Sequence, residues 1–267
     1  TIHNDSAIGF ALIALSRSSS LMNEAMERLS TGKRINRASD DPAGIHRVIR
    51  LNAEIRGINT ASRNAADGQS LVDTLDTSLS EVQSILLRMR ELTIQAMSDT
   101  NSADDRLALD SELSQLELEI TRIGSTTSFG GNPVFDGNTH YLQIGPRSGN
   151  TLEVQSYTLS AATLGLNQDL TSRGNAENYL GIIDTAIQNI NEKRGAAGAL
   201  SNRLDFIMSN LDNSKVNLIK SRSNIEDADF AAESMKLAKA KILEQVAIAM
   251  IAQANARMQW ILKLLEN

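Results

Sequence analysis

Apolar residues recur along most of this chain at alternating intervals of three and four positions. That spacing places them on one face of an α-helix, and a strict heptad of this kind is typical of paired helices. Five blocks of the chain show it, so the chain is predicted to be mainly α-helical. The blocks are marked by Ile8, Leu12, Leu15, Met22, Met26 and Leu29; by Leu75, Leu79, Val82, Leu86 and Met89; by Leu109, Leu113, Leu116, Ile120 and Ile123; by Ala197, Leu200, Leu204, Ile207, Leu211, Leu218 and Ile225; and by Leu243, Ala247, Met250, Ala254, Met258, Ile261 and Leu265.

Local signals predict where several of these helices begin and end. Gly32 follows the first block and is a typical helix stop. Pro42 comes after two aspartates and suits the first position of a new helix. The polar segment 100–105, TNSADD, supplies a turn and an N-cap ahead of the third block.

The helical spacing is interrupted at about residues 124–170. Leu142 and Ile144 alternate with polar residues before a turn rich in Pro, Gly and Asn, and Leu152 and Val154 do so after it. This pattern predicts a β-hairpin. The predicted fold is therefore mainly α, a long antiparallel helical coiled coil or bundle with a small β-hairpin region at mid-chain.

The last block is far more apolar than one helix pair needs. Of the 23 residues from 243 to 265, 16 are aliphatic, Ala, Met or Trp, and three are charged. The two terminal helices can pair with each other, but Ile248, Ile251 and Trp260 lie off the main stripe of the last one. We therefore expect neighbouring copies of the chain to cover this surface.

Charge also differs between the ends and the middle of the chain. Residues 1–40 and residues 228–267 each carry five basic and four acidic side chains, a net charge of +1 each. Because the whole chain has a net charge of −6, residues 41–227 carry −8. Near-neutral ends around an acidic middle indicate ends that associate and a middle that stays solvated. The acidic balance argues against a nucleic-acid partner. The longest apolar run near the C-terminus, 246–252, is far shorter than the roughly 20 residues of a membrane span, so no membrane insertion is expected.

The residue types needed for catalysis are present but not grouped. The chain has no cysteine, and His3, His46 and His140 are scattered without the spacing of a metal site. Glu117 and Glu119 lie in a helical, solvated segment, and no glycine-rich phosphate loop follows a strand. We predict no catalytic, cofactor or metal site, and no enzyme activity.

A series of short motifs, taken together and in order, resembles bacterial flagellin over nearly the whole chain. The resemblance rests on the whole ordered set of motifs, because each motif alone is compatible with an ordinary helix or turn. The motifs are ERLSTGKRINRASDDPAG (27–44), SRNAADG (62–68), RMRELTIQAMSDTNS (88–102), FGGNPVFDGN (129–138), LQIGPRSGNTLEV (142–154), TLGL (163–166), GALSNRL (198–204), SRSNIEDADFA (221–231), ILEQ (242–245) and AQAN (252–255).

The resemblance implies a structural subunit that is exported and polymerises into the extracellular flagellar filament for swimming motility. It implies a terminal coiled-coil domain of the inner tube, 1–40 plus 228–267, and an outer helical domain, 41–227. Other copies of the chain would be its main partners. The residues expected to pack between subunits are Ile8, Leu12, Leu15, Met22, Met26, Leu29, Leu243, Met250, Ile251, Met258, Trp260, Ile261 and Leu265.

The resemblance also implies further partners. They are an export chaperone at the C-terminal helix, the filament cap and the hook-junction proteins. We expect export without a cleaved signal peptide, because the start TIHNDSAIGF lacks a basic segment and a long apolar core. In the family, a host Toll-like receptor contacts the helix that matches RMRELTIQAM. Arg88, Glu91, Leu92 and Gln95 are the corresponding candidates here, at i, i+3, i+4 and i+7 spacing.

Two features depart from the family pattern. Flagellins commonly have a proline-containing segment after AQAN, whereas this chain continues ARMQW (256–260). The variable outer domains that flagellins insert after the β region are missing. Residues 167–178 only connect the β region to the next helical block. Two alternatives remain: a hook–filament junction protein of the same superfamily, and a secreted membrane-active helical protein, whose helix should carry a basic face.

Overall fold

A computed structural model describes the backbone of residues 2–265 and the side-chain surroundings of residues 8–257, 259 and 260. The described residues form long helices around a small β region, which confirms the predicted fold class. The helices are α1 (Ile2–Thr31), α2 (Pro42–Ala96), α3 (Ala103–Thr126), α4 (Arg173–Glu226) and α5 (Phe230–Leu265), and the strands are β1 (Ser128–Phe129), β2 (Asn132–Pro133), β3 (Thr139–Gln143) and β4 (Thr151–Gln155).

The predicted helix ends are confirmed. Helix α1 ends at Thr31, and Gly32 follows with a φ of 70°, a conformation that favours glycine. Helix α2 begins at Pro42, and the Asp41 side chain accepts a hydrogen bond from the backbone N–H of Gly44. Helix α3 begins after Ser102, which forms a reciprocal capping box with Asp105.

The chain divides into two compact units, and α2 and α4 contribute to both. Unit 1 comprises Thr1–Ala53 and Asn217–Asn267, and unit 2 comprises Glu54–Val216. The division between inner-tube and outer domains near residues 40 and 228 stays a prediction about the assembled protein.

Unit 2 is built around an apolar core shared by α2, α3 and α4. The heptad positions that the sequence marks on α2, from Leu75 to Met89, all lie in this core. Helix α3 contributes Leu113 and Ile120. The side of α4 that faces the core is formed by Ala176, Tyr179, Ile183, Ala186, Ile190, Ala197 and Leu204.

The predicted hairpin is present within unit 2. Strands β3 and β4 pair antiparallel, with Leu142 opposite Leu152. The buried side chains of Leu152 and Val154 alternate with exposed neighbours. The hairpin lies close to α2 at Gly68, where a Cβ atom would come within 2.3 Å of Leu142 Cδ1. A larger residue at position 68 would therefore require the Leu142 side chain to shift. Within the described residues, none of the helices has the length and apolarity to cross a membrane.

Candidate assembly surface

In unit 1, α1 and α5 pack against each other in antiparallel orientation, and small side chains line the seam between them. Ser18 and Ala25 are buried on α1, and Ala240 and Ala247 are buried on α5. Members of each pair are seven residues apart, which is two turns of a paired helix. Small residues at these positions leave room for the two backbones to approach closely.

The seam on α1 differs from the predicted heptad by one position at every second step. Leu12 and Met26, which the heptad marks, are 51% and 42% exposed, whereas Ser18 and Ala25 are buried. Heptads that step by three and then four, or by four and then three, share every seventh residue and differ only in the residue between. Leu12 and Met26 therefore lie beside the seam, and their packing between subunits stays a prediction.

A similar offset occurs on α5. The predicted stripe contains Leu243 and Met250, but both are exposed, at 44% and 60%. Ala247, which the stripe also contains, is buried, and Ile251 is partly covered. The large side chains therefore flank the seam and leave the alanines in its centre.

Exposed large apolar side chains are concentrated on this helix pair. Among the described side chains, 13 of the 21 large hydrophobic residues that are mainly exposed belong to α1 or α5, although the two helices comprise only 30 and 36 residues. A concentration of exposed apolar side chains of this kind marks an interaction surface. The residues are Phe10, Leu12, Ile13, Leu21, Met26, Phe230, Met235, Ile242, Leu243, Val246, Ile248, Met250 and Trp260.

Some of these side chains line an open groove that runs between the two helices. The groove has a volume of about 570 Å³. Phe10 and Leu21 border it on α1, and Val246 and Met250 border it on α5. Its shape and apolar walls suit a ridge of side chains from another helix.

One charged group lies inside the seam. Glu233 is only 5% exposed, and its Oε1 accepts hydrogen bonds from Arg28 Nη1 at 3.3 Å and from Lys236 Nζ at 2.8 Å. Arg28 also pairs with Glu24 of its own helix at 2.6 Å. Burial by itself would raise the pKa of the Glu233 carboxyl, but the bonds from Lys236 and Arg28 outweigh it, so the pKa lies below its usual range.

Next to this pair, a backbone clasp joins the segment that follows α1 to the end of α4 and the connector that leads to α5. The clasp comprises residues 32–34 and 226–228. Its two backbone hydrogen bonds run from Ala228 N to Gly32 O at 3.0 Å and from Arg34 N to Glu226 O at 2.7 Å. Lys33 Nζ lies 2.6 Å from Glu226 Oε1, which neutralises a buried carboxylate. The clasp and the Arg28–Glu233 pair hold the same end of the helix pair.

The predicted subunit-packing residues differ in how far they are covered in the single chain. Those that are partly covered in the single chain are Ile8, Leu15, Met22, Leu29 and Ile251. Those that are exposed are Leu12, Met26, Leu243, Met250 and Trp260. The side chains of Met258, Ile261 and Leu265 lie outside the described residues.

The four candidate receptor-contact residues on α2 do not form one exposed patch. Arg88, Glu91 and Gln95 are exposed, but Leu92 is only 1% exposed and belongs to the core of unit 2. Arg88 is already engaged, since its Nη2 lies 2.8 Å from Glu112 Oε1 and its Nη1 lies 3.2 Å from Glu91 Oε2. Any contact at this surface would therefore involve the polar side chains.

Sequence reasoning missed the polar contacts of unit 1. Arg28 and Glu233 are 205 positions apart, and no local pattern pairs them. A usable signal did exist for the seam. Small residues recur every seven positions on both helices, at Ala11, Ser18 and Ala25 and at Ala240, Ala247 and Ala254.

Comparison with known proteins adds to this geometry. A solved structure of Bacillus cereus flagellin matches with a TM-score of 0.52 and 37% identity, covering 56% of this chain and 88% of that one. A putative flagellar hook-associated protein from Vibrio parahaemolyticus has a TM-score of 0.61 over 70% of this chain, but at 17% identity it shows the fold alone. The described architecture is thus that of flagellin-like helical proteins.

The sequence comparisons identify the family. Residues 9–140 match the bacterial flagellin N-terminal helical region, and residues 180–265 match the C-terminal helical region. The flagellin of Halalkalibacterium halodurans is 43% identical over 247 residues, 91% of each chain. The flagellin of Bacillus subtilis is 34% identical over 300 residues, 98% of each chain. The chain belongs to the bacterial flagellin family.

Family membership confirms the function predicted from the motifs. The chain is a structural subunit of the flagellar filament, an extracellular polymer of flagellin copies. Flagellins are structural proteins.

Proposed function

We propose that the α1–α5 pair is the surface through which copies of this chain hold together in the filament. The observation that carries the proposal is the concentration of exposed large apolar side chains on these two helices. In the filament, residues 1–40 and 228–267 would form the inner-tube domain, and residues 41–227 would form the outer domain.

The energetics support this assignment. Fully burying a large aliphatic side chain contributes about 1.5–3 kcal/mol. Association costs an estimated 4–15 kcal/mol in lost freedom, so burial of several such side chains at one contact is of the size needed to offset that cost. The α1–α5 surface carries 13 large apolar side chains that can contribute.

The same surface accounts for coupled folding and assembly. Ordering a helix costs about 1–2 kcal/mol per residue in backbone entropy. The α1–α5 seam buries mainly small side chains, which return little of that cost. We expect contacts from neighbouring copies to supply the rest, so that the terminal helices complete their folding as the filament grows.

The experiment that tests the proposal changes one groove residue. Val246→Glu places a charge on the apolar wall at a side chain that is 52% exposed in the single chain. Polymerisation from seeds, followed by light scattering and negative-stain microscopy, should be strongly impaired. Gln245→Glu is the matched control, because it adds the same charge at an exposed polar position one residue away. Equal polymerisation of Val246→Glu and the control would contradict the proposal.

Before assembly, the apolar face of α5 would need a binding partner that covers it. An export chaperone that binds an amphipathic helix in a groove suits this face. A pull-down should therefore capture the full chain and lose a variant lacking 228–267. Equal capture of both would contradict a chaperone site at the C-terminal helix.

The remaining roles follow from flagellin biology. The subunit would be exported through the flagellar type III apparatus by a signal in its N-terminal segment, without cleavage of a signal peptide. It would meet the hook-junction proteins at one end of the filament and the cap at the other. The polar side chains Arg88, Glu91 and Gln95 would be candidates for recognition by a host Toll-like receptor.

A further inference from the structure

The buried stripe of α5 repeats every seven residues, and one position of the repeat is charged. Ala240, Ala247 and Ala254 follow one another at that interval, and Glu233 lies seven residues before the first. A carboxylate this deeply buried is costly unless it is paired. We propose that Glu233, by pairing with Arg28, fixes the register in which α1 and α5 align.

A repeat of small residues does not define one alignment by itself. Ala11, Ser18 and Ala25 have the same interval on α1 as the three alanines have on α5. Sliding one helix by seven residues would bring most of the small side chains together again, because both stripes repeat with the same period. The seam therefore needs a further feature to distinguish these alignments.

The Arg28–Glu233 pair supplies that distinction. In the observed register Arg28 Nη1 lies 3.3 Å from Glu233 Oε1. Counting seven residues along the sequence from Arg28 gives Leu21 in one direction and Ile35, beyond the end of α1, in the other. A slip either way would take Arg28 away and leave Glu233 with Lys236 of its own helix. The buried carboxylate would then have lost one of the two cations bonded to it, which is destabilising.

Two simpler explanations compete with this one. Glu233 lies in the first turn of α5, where an acidic residue is favourable because of the helix dipole. The clasp, residues 32–34 and 226–228, could also hold the register through its backbone bonds alone. Under either explanation, replacing Glu233 would leave the alignment of the helices unchanged.

Introduced cysteines can measure the register, because the chain has none of its own. Ala25→Cys with Ala240→Cys reports the observed alignment, since both residues line one groove with Arg28 and Glu233. Ser18→Cys with Ala240→Cys reports a slip of seven residues. Each doubly substituted chain is mixed into an excess of parent protein, assembled into filaments and oxidised, and the intrachain link is quantified by gel mobility. The measurement rests on the proposed function, since it is made in filaments.

Glu233→Ala should raise the ratio of the slipped link to the observed link by about tenfold or more, because alanine restores the uniform repeat. Glu24→Ala is the control: it removes the other carboxylate bonded to Arg28, at 2.6 Å, but leaves the pair across the helices intact. That control should leave the ratio unchanged. Glu233→Gln, which keeps the size of the side chain, should give a smaller rise and provides the measurement if the alanine variant does not incorporate.

An unchanged ratio with the Glu233 variants would overturn the proposal, and so would an equal rise with Glu24→Ala. Failure of the proposed function is distinguishable from either result. It would appear as equal polymerisation of Val246→Glu and Gln245→Glu, a result that does not depend on the intrachain cysteine links.

Discussion

The core of unit 2 and the seam of the α1–α5 pair bury opposite kinds of side chain. In unit 2, the interior contains large residues such as Leu79, Leu86 and Met89, and each is fully buried. In the α1–α5 pair, the interior contains Ser18, Ala25, Ala240 and Ala247, and the large residues lie outside. Unit 2 therefore draws its stability from its own core. We propose that the terminal pair is one layer of a larger interior that other copies complete.

The largest expected effect is a core substitution in unit 2. Leu86 is fully buried, so Leu86→Ala should lower the free energy of unfolding by about 2–5 kcal/mol, from lost burial and the cavity left behind. Chemical denaturation of the unassembled protein measures this. Leu243→Ala, at a side chain that is 44% exposed, is the matched control and should change the unassembled protein far less. Comparable losses for both variants would remove the contrast between the units.

A smaller effect is expected from enlarging the seam. Ala247 is 5% exposed, and Ala247→Leu should force α1 and α5 apart at a cost of about 1–3 kcal/mol. The thermal stability of filaments measures this cost. Ala249→Leu, on the exposed side of the same helix, serves as the control. If Ala247→Leu stabilised the filaments, the seam would have unfilled space, and the account of close packing through small residues would be wrong.

The smallest effect on stability is expected at Arg88. The side chain is half exposed and its ion pairs are at the surface, so Arg88→Ala should leave the free energy of unfolding almost unchanged. If the polar face of α2 is recognised by the receptor, the same variant should weaken activation of reporter cells by the unassembled protein. Full activation by the variant, or none by the parent, would exclude this residue from recognition.

The fold of unit 2 could be predicted from the sequence because each local signal agrees with the packing. The large apolar residues at helical spacing form the core. The polar residues before α3 cap that helix, as their side chains predict. Leu92 shows the limit of a spacing argument. It shares a face with Arg88 by i, i+4 counting, but it also follows Met89 by three residues, and the core includes both Met89 and Leu92.

The helix pair of unit 1 was less predictable for a physical reason. Apolar periodicity identifies the most hydrophobic face of a helix, which is normally the face buried within the same chain. Here that face is exposed in the single chain, and the face within the chain is marked by small residues. The contacts of Glu233 with Arg28, and of Glu226 with Lys33, join distant parts of the sequence and required the structure.

The central claim is that the outer faces of the α1–α5 pair become interior when copies assemble. The chain has a single tryptophan, Trp260, which lies on α5 and is 71% exposed in the single chain. Its fluorescence can be followed during seeded polymerisation without any label. The account predicts a shift of the emission to shorter wavelength and protection from a soluble quencher as filaments form. Unchanged emission and unchanged quenching in fully assembled filaments would contradict it.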